Sequence, residues 1–278
     1  MPKKLKKNLR LAGLALCCLA ILLSAGMLLR DEVLARRERE RNLRLQQQLQ
    51  SAREVIPREE EPPETDLGDG RKYAQVLPQY LDLWKENKDL WGWLTIPNTP
   101  IDYPVMFTPE EPEFYLHKGF DKEYAYSGCL FIGEGCYPTR SHVIIYGHNM
   151  ENDTMFSTLP YYWSEDYYKQ HKTIRFDTIV QEGTFQVMAA FYSQAYQEEN
   201  EDAFRYHLYT DLSDPDTFAE YVQKAKENSL YDTGVTAEYG QRLITLSTCS
   251  YHVTDGRFAV IAVETDPTAE ETEGGGDA

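Results

Sequence analysis

The stretch that decides the fold is Leu243-Ile244-Thr245-Leu246-Ser247-Thr248-Cys249-Ser250-Tyr251, which is followed, after an Asp255-Gly256 turn signal, by Arg257. Residues 242–248 and 257–264 have the composition of strands, and Asp-Gly between two such runs is typical of a β-hairpin. This hairpin would put Cys249 at the exit of one strand and Arg257 at the entry of its neighbour. An arginine beside a thiol can favour the thiolate or stabilise an oxyanion. A buried strand cysteine and an unrelated surface arginine are the plainer interpretation.

A nucleophilic cysteine usually needs a base, and the chain has six histidines. His148 follows the apolar run 142–146, so we predict that it lies at the end of a buried strand, as Cys249 does. Two other histidines remain open on spacing alone. His142 opens the same strand, where it can simply satisfy a backbone group, and His252 lies in the predicted hairpin loop.

These motifs together resemble the sortases, and class B sortases in particular. The resemblance is carried by TLSTC at 245–249, by the arginine eight residues after the cysteine, and by YGHNM at 146–150. It extends from about Tyr73 to Glu264 and includes WLTIPNTPIDYPV at 93–105. The resemblance implies that Cys249 is the nucleophile, His148 the acid/base and Arg257 the stabiliser of the transition state.

The implied activity is that of a cysteine transpeptidase. Cys249 would cleave a C-terminal sorting signal after threonine and form a thioacyl-enzyme, with Arg257 and the backbone N–H of Ser250 holding the oxyanion. His148 would protonate the leaving amine and deprotonate the incoming one, which the resemblance identifies as an amine of the peptidoglycan precursor. The alternatives are a cysteine peptidase that releases peptides by hydrolysis, a pilin-polymerising sortase, and a membrane-anchored scaffold with a vestigial site.

Three further residues match substrate-contacting positions of class B relatives. Tyr146 and Ser247 each lie two residues before a catalytic candidate, so they should point to the same face of the sheet as that candidate. Leu116 matches an apolar pocket position. Relatives often have Asp-Asn where this chain has Glu111-Pro112, so its preference for a sorting signal is expected to differ. Tyrosines within 161–168 and 192–209 are further candidates for a peptide groove.

The N-terminus predicts a membrane anchor. Residues 1–10 form a basic tail, and residues 11–29 contain no charge. Nineteen helical residues extend for roughly 28 Å, close to the thickness of a bilayer core. A signal peptide cleaved near Ser24-Ala25-Gly26 is the alternative. The resemblance implies a single pass through the plasma membrane, with the catalytic domain outside a Gram-positive type cell.

The remaining boundaries follow from composition. Residues 30–70 read as a polar helical stalk and a Pro- and Glu-rich linker, residues 71–264 as the catalytic domain, and residues 265–278 as a disordered acidic tail. The predicted fold is mainly β: a closed, sortase-like β-barrel with helices near its N-terminus, within 73–93. A further helix from Pro215 through Asn228, with Asp214 as its N-cap, should lie in the long connection before the cysteine strand. We expect the catalytic domain to be monomeric.

Charge and cysteine content exclude some functions. The chain has a formal net charge of −17, although residues 1–53 carry 12 Lys or Arg against 4 Asp or Glu. An acidic outer domain argues against nucleic acid and favours an amine over an anionic acceptor. The histidines are scattered singly, so we expect no metal and no cofactor. Cys129 and Cys136 flank a predicted turn, and whether they form a disulfide stays open.

Overall fold

The computed structural model describes residues 3–54, 64–66, 72–137, 140–194 and 204–265. The strands are β1 (Glu64–Asp66), β2 (Lys72–Gln75), β3 (Leu90–Thr95), β4 (Asp102–Met106), β5 (Leu130–Ile132), β6 (His142–Tyr146), β7 (Thr173–Thr178), β8 (Thr184–Gln194), β9 (Leu243–Cys249) and β10 (Gly256–Thr265). The α-helices are α1 (Lys3–Glu54), α2 (Leu81–Glu86), α3 (Glu165–Gln170) and α4 (Pro215–Asn228). Short 3₁₀ turns lie at Pro78–Tyr80, Phe114–His117, Leu159–Trp163 and Tyr206–Leu208.

Eight of the strands form a closed barrel in the order β10-β8-β7-β3-β4-β5-β6-β9, and the pairing of β9 with β10 closes the ring. This confirms the predicted mainly-β barrel. Two pairs are parallel, β4 with β5 and β6 with β9, and the other pairs are antiparallel. Strands covered on both faces are expected to be continuously apolar, and the centre of β9 and β10 is buried at every residue.

Helix α4 confirms the predicted helix before the cysteine strand. Asp214 caps it by accepting hydrogen bonds from the Thr217 N–H (2.8 Å) and hydroxyl (2.9 Å), and Pro215 occupies the first helical position. One face of α4 is buried in the main core, through Phe218, Tyr221, Val222 and Ala225. The capping signal and the apolar spacing were both readable in the sequence.

The spacing of apolar residues in 73–93 predicts one or two amphipathic helices, and the structure has one short α-helix there, α2. Trp91 and Trp93, which the same spacing included, belong to β3. Strand β3 lies between β4 and β7 and is buried along nearly its whole length, so both faces carry large apolar side chains. Apolar residues on both faces of a strand resemble helical spacing over a short window, which explains why the helical pattern extended over β3.

Helix α1 includes a stretch that is long and apolar enough to cross a membrane, by length and composition. The chain divides into two units, residues 1–44 and 45–278. Residues 55–63 and 67–70 of the predicted linker and residues 266–278 of the predicted acidic tail lie outside the described residues. The rest of these two segments includes β1 (Glu64–Asp66) and Thr265, which ends β10.

The last turns of α1, assigned to the stalk by composition, pack within the second unit. Leu45 and Leu49 are 1% and 2% exposed and belong to a buried cluster with Trp93 and Tyr80. Arg53 donates to the Tyr80 hydroxyl (3.0 Å) and forms an ion pair with Asp177 (3.1 Å), and Gln46 donates to the Asp102 carbonyl oxygen (2.8 Å). Residues 45–54 therefore contribute core and polar contacts to the barrel domain.

Candidate active site

The β9–β10 hairpin brings Cys249 and Arg257 together. They are direct partners across the antiparallel pair, so their side chains lie on the same face. Both are partly exposed. Among the described residues, the Arg257 guanidinium donates only to the carbonyl oxygen of Gly256 (3.1 Å), and most of its five N–H donors remain available to an incoming group.

His148 lies two residues beyond β6, which pairs in parallel with β9. In this register Tyr146 is opposite Ser247, and each lies two residues before a catalytic candidate. Continuing both chains by two residues brings His148 and Cys249 to the same rim of the barrel, on the face that Tyr146 and Ser247 share.

Three hydrogen bonds hold these two chain segments together beyond the paired strands. The Gly147 N–H donates to the Ser247 carbonyl oxygen (3.2 Å), and the Thr248 hydroxyl donates to the Gly147 carbonyl oxygen (2.7 Å). The Asn149 side chain donates to the carbonyl oxygen of Cys249 itself (3.0 Å). The residues on both sides of His148 are thus bonded to the cysteine strand.

Gly147 is required at the position before the histidine. A Cβ there would overlap the side chains of Leu130 and Phe156, which are both fully buried and have no room to move away. The backbone that carries His148 therefore passes directly against the barrel core, which restricts where the imidazole can go.

The His148 ring is fixed by a main-chain carbonyl. Its Nε2 lies 2.9 Å from the carbonyl oxygen of Leu116. Because a carbonyl oxygen can only accept, Nε2 carries a proton whether the ring is neutral or charged. Nδ1 is therefore the atom at which His148 gains and loses a proton.

The environment keeps His148 neutral. Burial lowers the pKa of His148 below its ordinary value of 6.5; the bond to Leu116 opposes that shift, and the neighbouring His117 adds to it. The ring of His117 stacks on that of His148, with centroids 5.3 Å apart and planes at 19°. A lowered pKa means that the neutral imidazole predominates at neutral pH.

The two alternative histidines have other partners. His142 is fully buried and bonded to the Tyr209 carbonyl oxygen (2.8 Å) and the Thr245 hydroxyl (2.9 Å). Burial lowers the pKa of His142 to about 4. His252 belongs to the hairpin turn, where its Nδ1 is 2.9 Å from the Ser250 hydroxyl. His142 opens β6 opposite Leu243, at the end of β9 away from Cys249, whereas His148 follows the end of β6 that runs toward Cys249.

The predicted substrate residues lie around this rim, but Ser247 is already bonded. Its buried hydroxyl is 2.7 Å from that of Tyr206. Tyr146 is partly buried and stacks on Phe131, at 5.9 Å between centroids. Leu116 is partly buried against the second apolar cluster, and its carbonyl oxygen orients His148.

Tyr206 was not singled out by the sequence. Burial raises the pKa of its phenol to about 12, while the Ser247 hydrogen bond and the charge of Arg257 lower it and a charged Cys249 would raise it. Tyr206 thus lies close to both residues of the hairpin pair. Its only signal was its position in the tyrosine-containing stretch 192–209.

Ser250 is engaged in the closed turn. Its backbone N–H, the predicted oxyanion donor, donates to the Gly256 carbonyl oxygen (2.9 Å). In this arrangement the hydrogen bond closes the mouth of the hairpin. The amide can reach an oxyanion only if the turn 250–256 changes shape. Among the described residues, no group of three His, Cys, Asp or Glu side chains could hold a metal ion.

Comparisons with known proteins point to one family. The Sortase domain family model matches residues 94–265. Sortase B of Listeria monocytogenes is 33% identical over 181 residues, which cover 63% of this chain and 69% of that protein. The solved Staphylococcus aureus sortase B–substrate complex is 26% identical with a TM-score of 0.67, over 84% of this chain and 98% of that one. A sortase B complexed with triglycine has the same identity and TM-score, over 84% of this chain and 99% of that one.

A closed β-barrel with a cysteine at the end of one strand is the architecture of a known group of cysteine transpeptidases. The chain belongs to the sortase family, and its relatives and structural neighbours are class B sortases, transpeptidases that anchor surface proteins.

Proposed function

We propose that this protein cleaves a C-terminal sorting signal after threonine and transfers the remaining protein to an amine of the peptidoglycan precursor. Cys249 is the nucleophile, His148 the acid/base and Arg257 the group that stabilises the oxyanion. The observation that carries the proposal is the register: Cys249 is opposite Arg257 on one side, and on the other its strand pairs with the strand that leads to His148.

In the first half-reaction the sulfur of Cys249 bonds to the threonine carbonyl carbon. The thiol proton passes to Nδ1 of His148, because Nε2 already donates to the Leu116 carbonyl oxygen. The tetrahedral oxyanion forms beside the guanidinium of Arg257. As it collapses, the carbon–nitrogen bond breaks and His148 returns its proton to the leaving amine, which leaves a thioester on Cys249.

In the second half-reaction an acceptor amine attacks the thioester. Its proton passes to Nδ1 of His148, a new amide bond forms, and the proton returns to the sulfur of Cys249. A relative crystallised with triglycine, a peptide with a free amino group, supports an amine acceptor here. The strongly acidic chain outside residues 1–53 also suits an amine.

Tyr146 and Leu116 contact the sorting peptide, and Ser247 joins them when its buried hydroxyl exchanges its bond to Tyr206 for one to the peptide. Tyr146 and Ser247 share the face of the strands that leads to Cys249 and His148, which supports this role. The amide of Ser250 is the second oxyanion donor once the turn 250–256 opens. A relative solved as a substrate complex supports a peptide bound along this part of the barrel.

Helix α1 anchors the enzyme as a single pass in the plasma membrane, with the barrel at the outer surface. Its uncharged, exposed stretch is long enough to span the bilayer core. The catalytic domain acts as a monomer on surface proteins that carry a sorting signal.

The test is product analysis with full-length protein in detergent and a peptide containing Thr-Gly or Thr-Asn. With triglycine present, we expect the peptide fragment ending in threonine to be found joined to triglycine. Cys249→Ala should abolish both cleavage and transfer, whereas Cys18→Ala, which removes an exposed thiol from α1, should leave both intact.

Other outcomes would contradict the proposal. Cleavage without transfer at any triglycine concentration would indicate a hydrolytic cysteine peptidase. Transfer to a lysine of a second substrate protein, in preference to triglycine, would indicate a pilin-polymerising enzyme. Residual turnover by Cys249→Ala would show that the nucleophile lies elsewhere.

A further inference from the structure

We infer that His117 is a positioning residue for His148: its ring, stacked on the catalytic imidazole, keeps that imidazole neutral and in a single tautomer. The inference rests on the proposed function of His148 and extends it to a second histidine. The two rings are nearly parallel, with centroids 5.3 Å apart and planes at 19°, a normal offset-stacked geometry.

Two consecutive residues hold the catalytic ring from two directions. The Leu116 carbonyl oxygen accepts from its Nε2–H, in the plane of the ring, and the His117 imidazole covers its face. Both belong to the 3₁₀ turn Phe114–His117. With the carbonyl alone, the His148 ring could still rotate about a single hydrogen bond. The His117 ring packed against its face restricts that rotation.

The turn that carries His117 is firmly anchored. Tyr115, the residue between Phe114 and Leu116, is fully buried, and its hydroxyl donates to Asp89 (2.7 Å) and accepts from Asn87 (2.8 Å). The Tyr115 carbonyl oxygen accepts from the Cys129 N–H, and the His117 carbonyl oxygen accepts from the Ala125 N–H. The turn therefore acts as a rigid platform for the stacked ring.

His117 also acts through charge. A positive charge on its exposed ring would repel an imidazolium at His148, and this interaction lowers the pKa of His148. This repulsion adds to burial in keeping His148 neutral, with Nδ1 ready to accept the thiol proton.

Other ionisable groups surround the pair. Beyond His117 lie Tyr124 and Tyr126, each with its ring centroid 6.5 Å from that of His117. Lys118 turns toward Phe114, with its ammonium 5.9 Å from that ring. On the neighbouring strands the ionisable groups are Cys249 at the end of β9, Arg257 at the start of β10 and Tyr146 at the end of β6.

Two substitutions separate stacking from charge. His117→Phe keeps a flat ring on His148 but cannot be protonated, and His117→Ala removes both ring and charge. The matched control is His171→Phe, because His171 also stacks on a ring, that of Tyr167 at 4.0 Å, but at the end of α3. All are made in the full-length protein.

The first measurement is a ¹⁵N NMR titration of histidine-labelled protein, with the His148 signals assigned through His148→Gln. We expect wild-type His148 to show the Nε2–H tautomer alone. Both His117 variants should raise the pKa of His148, and His117→Ala should also mix its tautomers. His171→Phe should change neither. This readout needs no turnover, so it stays informative even if the proposed reaction is wrong.

The second measurement is kcat/KM for transfer against pH. The part of the kcat/KM profile that follows the titration of His148 should move to higher pH in both His117 variants. The maximum value of kcat/KM should be unchanged in His117→Phe and about tenfold lower in His117→Ala. An unchanged His148 titration in both variants would overturn the inference. A shifted titration with an unchanged pH–rate profile would equally overturn a role for His117 in the reaction. Full activity of His148→Gln would instead refute the proposed function.

Discussion

The pairing of Cys249 with Arg257 is set by a hairpin only a few residues long. The two are direct cross-strand partners, and the closed turn 250–256 joins their strands. In the proposed reaction, this pairing keeps the guanidinium near the thiol before charge develops on the substrate oxygen. Its planar array of donors also suits an oxyanion better than a single ammonium does.

Arg257→Lys should therefore lose activity at the chemical step. The ammonium keeps the charge but loses the fork and its reach, and removal of one oxyanion donor typically lowers kcat about 10²–10³-fold. The measurement is kcat for peptide cleavage under saturating substrate, with Arg242→Lys as control. Arg242 pairs with Glu264 at the opposite end of the same two strands, so this control should keep its kcat. Near-full activity of Arg257→Lys would make Arg257 structural.

The sequence predicted the Cys249–Arg257 pair because a hairpin is a local feature, readable from spacing and an Asp-Gly turn. It could not choose His148 over His142 without the resemblance, since the choice depends on β6 pairing with β9 across about a hundred residues. The Leu116 carbonyl and the His117 ring left no signal at all. Every residue has a carbonyl oxygen, so the sequence does not show which one accepts from His148. The stacking of His117 on His148 depends on the path of a 3₁₀ turn, which the sequence does not show either.

Among the elements, α4 and the connection before β9 are tied to the barrel by one buried polar network. His142 Nδ1–H donates to the Tyr209 carbonyl oxygen, and His142 Nε2 accepts from the Thr245 hydroxyl. The Tyr221 hydroxyl of α4 in turn donates to Thr245 (2.5 Å). Burial favours the neutral imidazole at this position, and since Nδ1 carries the proton, Nε2 is then the acceptor.

This network makes stability depend on pH. Burial lowers the pKa of His142 to about 4 in the folded protein, against 6.5 for an unburied histidine. Between these pH values the unfolded chain binds a proton at His142 that the folded chain does not. The contribution of His142 to the free energy of unfolding is therefore fully present above pH 6.5 and is lost as the pH falls toward 4. The loss is on the order of 3 kcal/mol over that range.

The measurement is the free energy of unfolding in urea at several pH values, for wild type and His142→Gln. Comparing the two cancels the titration of carboxylates common to both. His142→Gln should be less stable at pH 7 but lose less on acidification. Parallel curves for the two proteins would contradict this account of the network.

At the scale of the whole molecule, the barrel domain includes the end of a helix that composition assigned to a stalk. The Arg, Glu and Gln of residues 31–53 are typical of a solvated surface, and Leu34, Leu43, Leu45 and Leu49 fit no heptad. The structure buries Leu45 and Leu49 and leaves Leu43 54% exposed. Two buried leucines one helical turn apart are too weak a pattern to outweigh a polar composition.

Leu49→Ala should therefore destabilise the barrel domain. Truncating a buried leucine costs about 2–5 kcal/mol, because it removes apolar burial and leaves a cavity. Leu43→Ala is the matched control, with the same chemical change on an exposed part of the same helix. Thermal melting of the full-length proteins in detergent should show a clearly lower Tm for Leu49→Ala alone. Equal melting temperatures would show that the end of α1 contributes nothing to the domain.

The parallel pairing of β6 with β9 has a kinetic consequence. About a hundred residues separate the two strands. Contacts so distant in sequence form slowly, because the entropy cost of closing the loop comes before the stabilising contacts are made. The cysteine and its proposed base are therefore far apart in the newly synthesised chain, and they come together only when β6 pairs with β9. In the proposed reaction, a partly folded chain would lack the base beside Cys249, so the activity would depend on completion of the fold.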